Sequence, residues 1–414
     1  MKKYYFQCTD CGKIYQKDEV QYLCPECDAT NDDQQPPKGV LKTIYHYDQI
    51  IMKHGKEDLF KSLMKQGFID LLPIVSLQSM SYLRVGQTPL YTIEKLENEH
   101  LDFTLLLKDD AQNPTASFKD RASVLVSAYA KENNIDTIAA ASTGNAGSSL
   151  AGICASQQQR AIIFVPSTAP LAKLTQIVMY GATIIPVDGN YDAAFDLSIL
   201  ASKHFGWYNR NTAFNPFTIE GKKTVSYELY AQLQEEIPDR IFVSVGDGVI
   251  ISGIYKGFED LLQLGIIDKM PVIVAVQSEG SRNLIENINT SHWKTIPSTT
   301  IADSISVDIP RNFYMAKDYL LKYHGEWLTV SDDEIMQASA ILSRNTGIFS
   351  EPAATAAFAG MLKYKNNHKL EKATKNVVLL TGSGLKDLKS VATLVHIPTA
   401  ISANMEAVCK LMGE

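Results

Sequence analysis

The sequence predicts an α/β protein built on parallel sheets, with a small cysteine-bearing module in front, and three observations carry that reading. Short aliphatic or β-branched runs recur with helical stretches between them: Thr104–Leu107, Thr137–Ala141, Ala161–Val165, Thr183–Val187, Ile241–Val245, Val272–Val276 and Val377–Leu380. Runs that are apolar at successive positions are buried on both faces, the mark of parallel strands covered by helices. Three of them lead directly into Ser142-Thr143-Gly144-Asn145, Gly246-Asp247-Gly248 and Thr381-Gly382-Ser383-Gly384. Ligand crevices of open α/β sheets lie outside the carboxyl ends of the strands, so these loops are where chemistry is expected. The third observation is a pair of Cys-x2-Cys motifs near the start of the chain.

A chain of 414 residues is longer than one growing core supports, so two catalytic-scale lobes and an appendage are expected. With 45% hydrophobic and 21% charged residues the composition is that of an ordinary globular protein. A net charge of −7 leaves no general basic field, which argues against nucleic acid as principal partner. No apolar run reaches bilayer length, and the segment from Met1 to Cys8 has no signal-peptide apolar core, so a cytoplasmic protein is expected.

In chain order, the first element is the module. Cys8 and Cys11 form one knuckle and Cys24 and Cys27 another, with room for a short hairpin between them. That is zinc-ribbon spacing, and four thiolates suit a closed tetrahedral Zn2+ site with a structural role. The alternative is a degenerate ribbon without metal. The polar stretch from Asn31 to Pro37 reads as a linker.

Next comes Asn113-Pro114-Thr115-Ala116-Ser117-Phe118-Lys119-Asp120-Arg121, whose continuation is helical to Lys131. Lys119 would lie at a helix N-terminus, where the dipole favours a neutral amine able to capture an aldehyde. Read alone, a lysine beside Asp120 is more often a solvated ion-pair partner. Ser142 to Gly147 opens another helix, as an N-cap or as an anion-binding helix start. Gly246 and Gly248 permit a tight strand-to-helix turn whose amides can hold a phosphate, with Asp247 expected to turn aside or to cap the helix. Thr381 and its near competitor Ser383 end the last apolar run, as ring-facing hydroxyls or as partners of local backbone groups.

Taken together these segments resemble the threonine synthases, within the tryptophan-synthase-β-like, fold type II class of pyridoxal-phosphate enzymes. The resemblance runs through Gly86-Gln87-Thr88-Pro89-Leu90, Lys108-Asp109-Asp110, the Lys119 segment with Ala116 where the family has Gly, the Asn145 loop, Asn215 to Thr224, Gly246 to Val249, Glu351-Pro352-Ala353-Ala354 and Thr381 to Asp387. The cysteine module resembles the one carried by a branch of that family. The resemblance implies pyridoxal 5'-phosphate as cofactor, Lys119 as its Schiff-base lysine and Asn145 as partner of the ring hydroxyl. It also implies Gly246 and Gly248 in the phosphate loop, Thr381 facing the pyridine nitrogen, and a homodimer. The expected division is a ribbon over residues 1–40, a linker and part of a large lobe over 41–107, a small lobe over 108–229 and the rest of the large lobe over 230–414.

The implied reaction turns O-phosphohomoserine and water into threonine and phosphate. A second anion site is then needed, with Arg121, Lys108, Arg210, Lys222 and Lys223 as the candidate cations. Two departures stand out: Asp247 and Ile250 where the loop commonly has Asn, and Thr218 where many members carry an Arg that helps hold the substrate phosphate. The alternatives that Thr218 keeps open are a threonine or serine ammonia-lyase, an O-phosphoserine-dependent β-replacement enzyme, and a catalytically silent homologue that binds a partner.

Overall fold

The computed structural model describes residues 3–413. Its first sheet is antiparallel: strand β1 (Tyr4–Cys8) lies between β2 (Ile14–Gln16) and β3 (Leu41–Tyr45). Alternation along β1 and β3 sends Tyr4, Phe6, Leu41 and Tyr45 inward, into the same apolar core that holds Phe217 and Val225 of the main body. The third strand of this sheet thus comes from just past residue 40.

Two further sheets carry the bulk of the chain. Strands β4 (Leu90–Leu96) and β5 (Glu99–Asp109) form a hairpin at one side of a six-stranded sheet. The chain then builds a four-stranded parallel sheet from β6 (Thr137–Ala141), β7 (Arg160–Pro166), β8 (Thr183–Val187) and β9 (Tyr208–Asn209), in the order β8-β7-β6-β9. It returns through β10 (Arg240–Ser244), β11 (Val272–Ser278), β12 (Glu326–Val330) and β13 (Lys375–Leu380) to complete the order β12-β11-β10-β13-β5-β4. Every ladder in these two sheets is parallel except β4–β5, so the expected α/β class with parallel sheets and a separate N-terminal module is what the chain adopts. Among the described residues no helix is long and apolar enough to cross a membrane.

The Lys119 segment is positioned by charge and by backbone. Arg121 is fully buried; its guanidinium donates to Asp110 (2.6 and 3.0 Å) at the end of β5 and to Glu228 (2.7 and 2.8 Å) on the Thr224–Gln232 helix. Lys108 adds a bond to Glu228 at 2.9 Å. Burial alone would raise the Glu228 carboxyl, but Arg121 and Lys108 outweigh it and hold it near 2. The turn itself is stitched to the carboxyl end of β13: Phe118 N–H donates to the Thr381 carbonyl (2.8 Å) and Ser383 N–H to that of Ala116 (3.1 Å).

Ala116, standing where the family has Gly, is held at φ 63°. A side chain in the left-handed region costs about 1–2 kcal/mol, partly offset by the lower chain entropy of alanine in the unfolded state. Ala116→Gly should therefore raise stability to denaturant by about 1 kcal/mol. A midpoint that stays put or falls would show that the turn carries no such strain.

Candidate active site

A cavity of about 460 Å³ lies where the strand ends of the two parallel sheets meet. Its wall takes Ser142–Ala146 after β6, Arg210–Thr212 after β9, Gly246–Ile251 after β10 and Thr381 after β13. All three loops singled out from the sequence therefore converge, and Lys119, Asn145, Gly246, Gly248 and Thr381 all line one space. Thr381 reaches the cavity while Ser383 does not; the Ser383 hydroxyl instead caps a short turn by accepting Leu385 N–H at 3.3 Å.

Lys119 is the residue before the Asp120–Glu132 helix. Burial, reinforced by Arg210, lowers the pKa of its amine against the opposing pull of Glu351 and Asp247. Among the described residues the amine has no hydrogen-bond acceptor, so the group is set for chemistry rather than for an ion pair with Asp120. Asp120 turns away, accepting from the Thr115 hydroxyl (2.6 Å) and amide (2.7 Å).

Gly248 at φ 84° begins the Val249–Gln263 helix, whose first three N–H groups find no acceptor among the described residues. A helix start with free amides behind a glycine turn is an anion cradle. A Cβ on Gly248 would come within 2.9 Å of the Ala316 Cβ, and one on Gly246 within 2.9 Å of the Ile305 backbone. Asp247 does not cap the helix; its carboxylate accepts Arg311 N–H at 3.1 Å, anchoring the 309–312 loop. Gly147, by contrast, is required by its own turn, since a Cβ there would meet the Ser142 carbonyl at 2.5 Å.

Glu351 was quoted in a motif but not expected at the site, and it is central to it. It precedes the Pro352–Asn366 helix, is buried, and accepts both bonds of the Asn145 amide, at 2.8 and 3.0 Å. Burial raises its carboxyl pKa. Gly382 makes room for it: a Cβ there would lie 2.4 Å from a Glu351 carboxylate oxygen. The sequence shows only a Glu directly before a proline and an alanine-rich run, which by itself does not place Glu351 at the site. Also missed was the 303–311 loop, which lines the cavity and is tied to the four-stranded sheet's helices by Arg311 with Asp192 and by Lys173 with Asp303 (2.7 Å).

The five cations considered for a second anion divide cleanly. Arg121 and Lys108 are committed to Asp110 and Glu228, and Lys223 to Glu220 (2.5 Å) and Asp260 (2.7 Å). Arg210 and Lys222 are just as buried, line the cavity, and have no carboxylate partner among the described residues. Arg210 donates to the Ser123 and Thr212 hydroxyls, each at 3.2 Å, and leaves one terminal nitrogen unpartnered. Burial lowers Arg210 to about 10, and burial with Arg210 and Lys119 nearby lowers Lys222 strongly. Thr218 is off the cavity wall, its hydroxyl donating to Asn215. Lys222, one turn on, reaches back to the Thr218 carbonyl at 3.2 Å.

In the N-terminal module the four thiols lie within 4.8 Å of one another, with Cys8–Cys27 at 3.7 Å and Cys11–Cys24 at 3.8 Å. These spacings are far beyond a disulfide bond.

A family model described as pyridoxal-phosphate dependent enzyme matches residues 82–382. A threonine synthase of Methanocaldococcus jannaschii is 34% identical over 99% of both chains, and one of Methanosarcina acetivorans 32% identical over 98% of both. Among solved structures, a threonine deaminase from Solanum lycopersicum superposes with a TM-score of 0.65 at 20% identity, covering 83% of this chain and 95% of its own. A serine ammonia-lyase from Rhizomucor miehei gives 0.63 at 20% identity, covering 76% and 98%; both likenesses speak to fold alone. On the motif, the cavity and these full-length relatives, the chain belongs to the pyridoxal-phosphate dependent enzyme family and, within it, to the threonine synthases.

Proposed function

We propose that this chain makes threonine from O-phosphohomoserine and water, releasing phosphate. The observation that carries the substrate's phosphate is the pair Arg210 and Lys222, two buried cations without a carboxylate on the wall that also bears Lys119. An unpaired buried charge is expensive, and burial accordingly weakens the hold of Lys222 on its proton; an anion arriving beside Arg210 and Lys222 would restore it, so a pocket walled by both groups is suited to an anion. Threonine, the substrate of a deaminase, carries a carboxylate but no phosphate to occupy a second anion site.

Pyridoxal phosphate fits the donors present. The free amides of Val249–Ile251 suit its phosphate, the Lys119 amine its aldehyde, the Asn145–Glu351 pair its ring hydroxyl and the Thr381 hydroxyl its pyridine nitrogen. When bound it supplies an electron sink that acidifies the Cα proton of an attached amino acid. Lys119, with its proton affinity lowered by burial, takes that proton and redistributes it along the substrate chain. Arg210 and Lys222 orient the Cγ phosphate and take up charge as it leaves, and water then adds at Cβ. The neutral Thr381 hydroxyl would not hold the ring nitrogen protonated as a carboxylate would, and this would favour β and γ chemistry over transamination.

The four cysteines suit one structural zinc. A tetrahedron with zinc–sulfur bonds of about 2.3 Å has edges of about 3.8 Å, close to the spacings of this cluster. A homodimer, and a division into ribbon, small lobe and large lobe near the boundaries read from the sequence, belong to the same proposal.

Purified enzyme should release threonine and phosphate in equal amounts, and inorganic phosphate should inhibit competitively. Lys222→Met should lower kcat/KM by about tenfold to a hundredfold, the scale of a charged hydrogen bond. Formation of 2-oxobutanoate and ammonia from threonine, without turnover of phosphohomoserine, would replace this reading by a lyase.

Metal analysis should find one zinc per chain, lost with some stability in Cys24→Ser. Metal-free wild type of equal stability would end the zinc assignment.

A further inference from the structure

The ribbon does not reach the cavity, yet it grips both ends of the segment that carries the two free cations. We infer that the N-terminal module positions the second anion site, with Tyr22 as the principal positioning residue; the inference rests on the assignment of Arg210 and Lys222 to the substrate phosphate.

Strand β9 is the edge of its sheet. On its inner side it pairs with β6, and Arg210 N–H donates to the Ala139 carbonyl at 2.8 Å. On its outer side no strand follows, and the Asn209 N–H donates instead to the hydroxyl of Tyr22 at 2.8 Å. A ribbon side chain thus supplies the acceptor a neighbouring strand would have offered. The Tyr22 ring stacks on Phe214 with centroids 4.4 Å apart and lies 5.9 Å from that of Tyr208, so it touches both flanks of Arg210-Asn211-Thr212.

The other end is held the same way. Phe217 meets Tyr4 and Phe6 of β1, with centroids 6.0 and 5.9 Å apart, and Glu220 accepts the Tyr45 hydroxyl of β3 at 2.6 Å. These contacts bracket Thr218 and lie on the short helix that ends in Lys222. Tyr22 is itself fixed through its neighbours: Leu23 bridges to Val40, and Cys24 N–H donates to the Gly39 carbonyl at 2.8 Å while its sulfur lies 3.1 Å from the Tyr15 hydroxyl. The cysteine cluster therefore braces the irregular segment from which Tyr22 projects. The groups that would hold the cofactor, by contrast, are Lys119 and the loops after β6, β10 and β13, with which Tyr22 neither bonds nor stacks.

Holding two cations at fixed separation before the anion arrives removes an ordering cost from binding and leaves the cofactor chemistry alone. The test compares holoenzymes: wild type, Tyr22→Phe, Tyr22→Leu and Lys222→Met. Measured are KM for O-phosphohomoserine, kcat, the inhibition constant of inorganic phosphate, cofactor absorbance and melting temperature. Tyr22→Phe keeps the stack and loses only the acceptor, and should raise KM and the phosphate inhibition constant together by about threefold to tenfold, with kcat within about twofold and absorbance unchanged. Tyr22→Leu should move the same two constants further. If Lys222→Met raises both constants while Tyr22→Phe leaves them at wild-type values, whatever its melting temperature, the ribbon is scaffold only and the inference is wrong. If Lys222→Met changes neither constant, the phosphate site itself is misplaced and the inference falls with it.

Discussion

A positive charge taken out of water must find a partner, and this requirement organises the interior of the protein. Arg121, Lys108 and Lys223 meet it with carboxylates remote in sequence, and Lys256 with Asp260 one turn along its own helix. Asp260 alone collects Lys223, Lys256 and the hydroxyls of Tyr47 and Tyr227. Burial would raise its carboxyl, yet Lys223 and Lys256 prevail and push it well below the usual range. Against that background Arg210 and Lys222, which line the cavity without a carboxylate partner among the described residues, are the groups proposed to receive a ligand's negative charge. Removing one member of the paired set would leave a buried charge uncompensated, at about 3–5 kcal/mol, which is why Arg121 serves the fold and is not free to serve the substrate.

In the proposed reading, the anion site does not need an arginine at Thr218. On a helix the residue four positions on lies over the preceding turn, and Lys222 points back onto the carbonyl of Thr218. Lys222 lines the cavity from one turn along the helix, and Arg210 lines it from the strand side. Phosphate recognition is set by where charge arrives, not by which position sends it.

Much of this was legible in the sequence. Each of the seven apolar runs forms a strand in a parallel ladder; six are largely buried, where composition has little choice, and β8 is an edge whose β-branched run still marked it. In the two larger sheets the unread strands are edges: β4 is largely exposed, β12 is half-buried and β9 is two residues long, so none presents an apolar run. At the site, the loops around Lys119, Asn145, Gly246 and Thr381 were legible because tight turns at strand ends demand particular residues. Glu351 and the sorting of five cations into paired and free were not, since pairing joins residues such as Arg121 and Glu228 that are remote in sequence. Nor was the docking of Tyr22 on Asn209, a contact between modules that no local pattern encodes.

The whole account turns on one amine. Lys119 lines one cavity with the Asn145–Glu351 pair, Val249–Ile251, Arg210 and Lys222, and has no competing hydrogen-bond partner among the described residues. Borohydride reduction of the holoenzyme followed by peptide mapping should place the pyridoxyl label on Lys119, with Lys119→Ala unlabelled. Label found on Lys222 or Lys386 in the wild-type protein would contradict the assignment of the site.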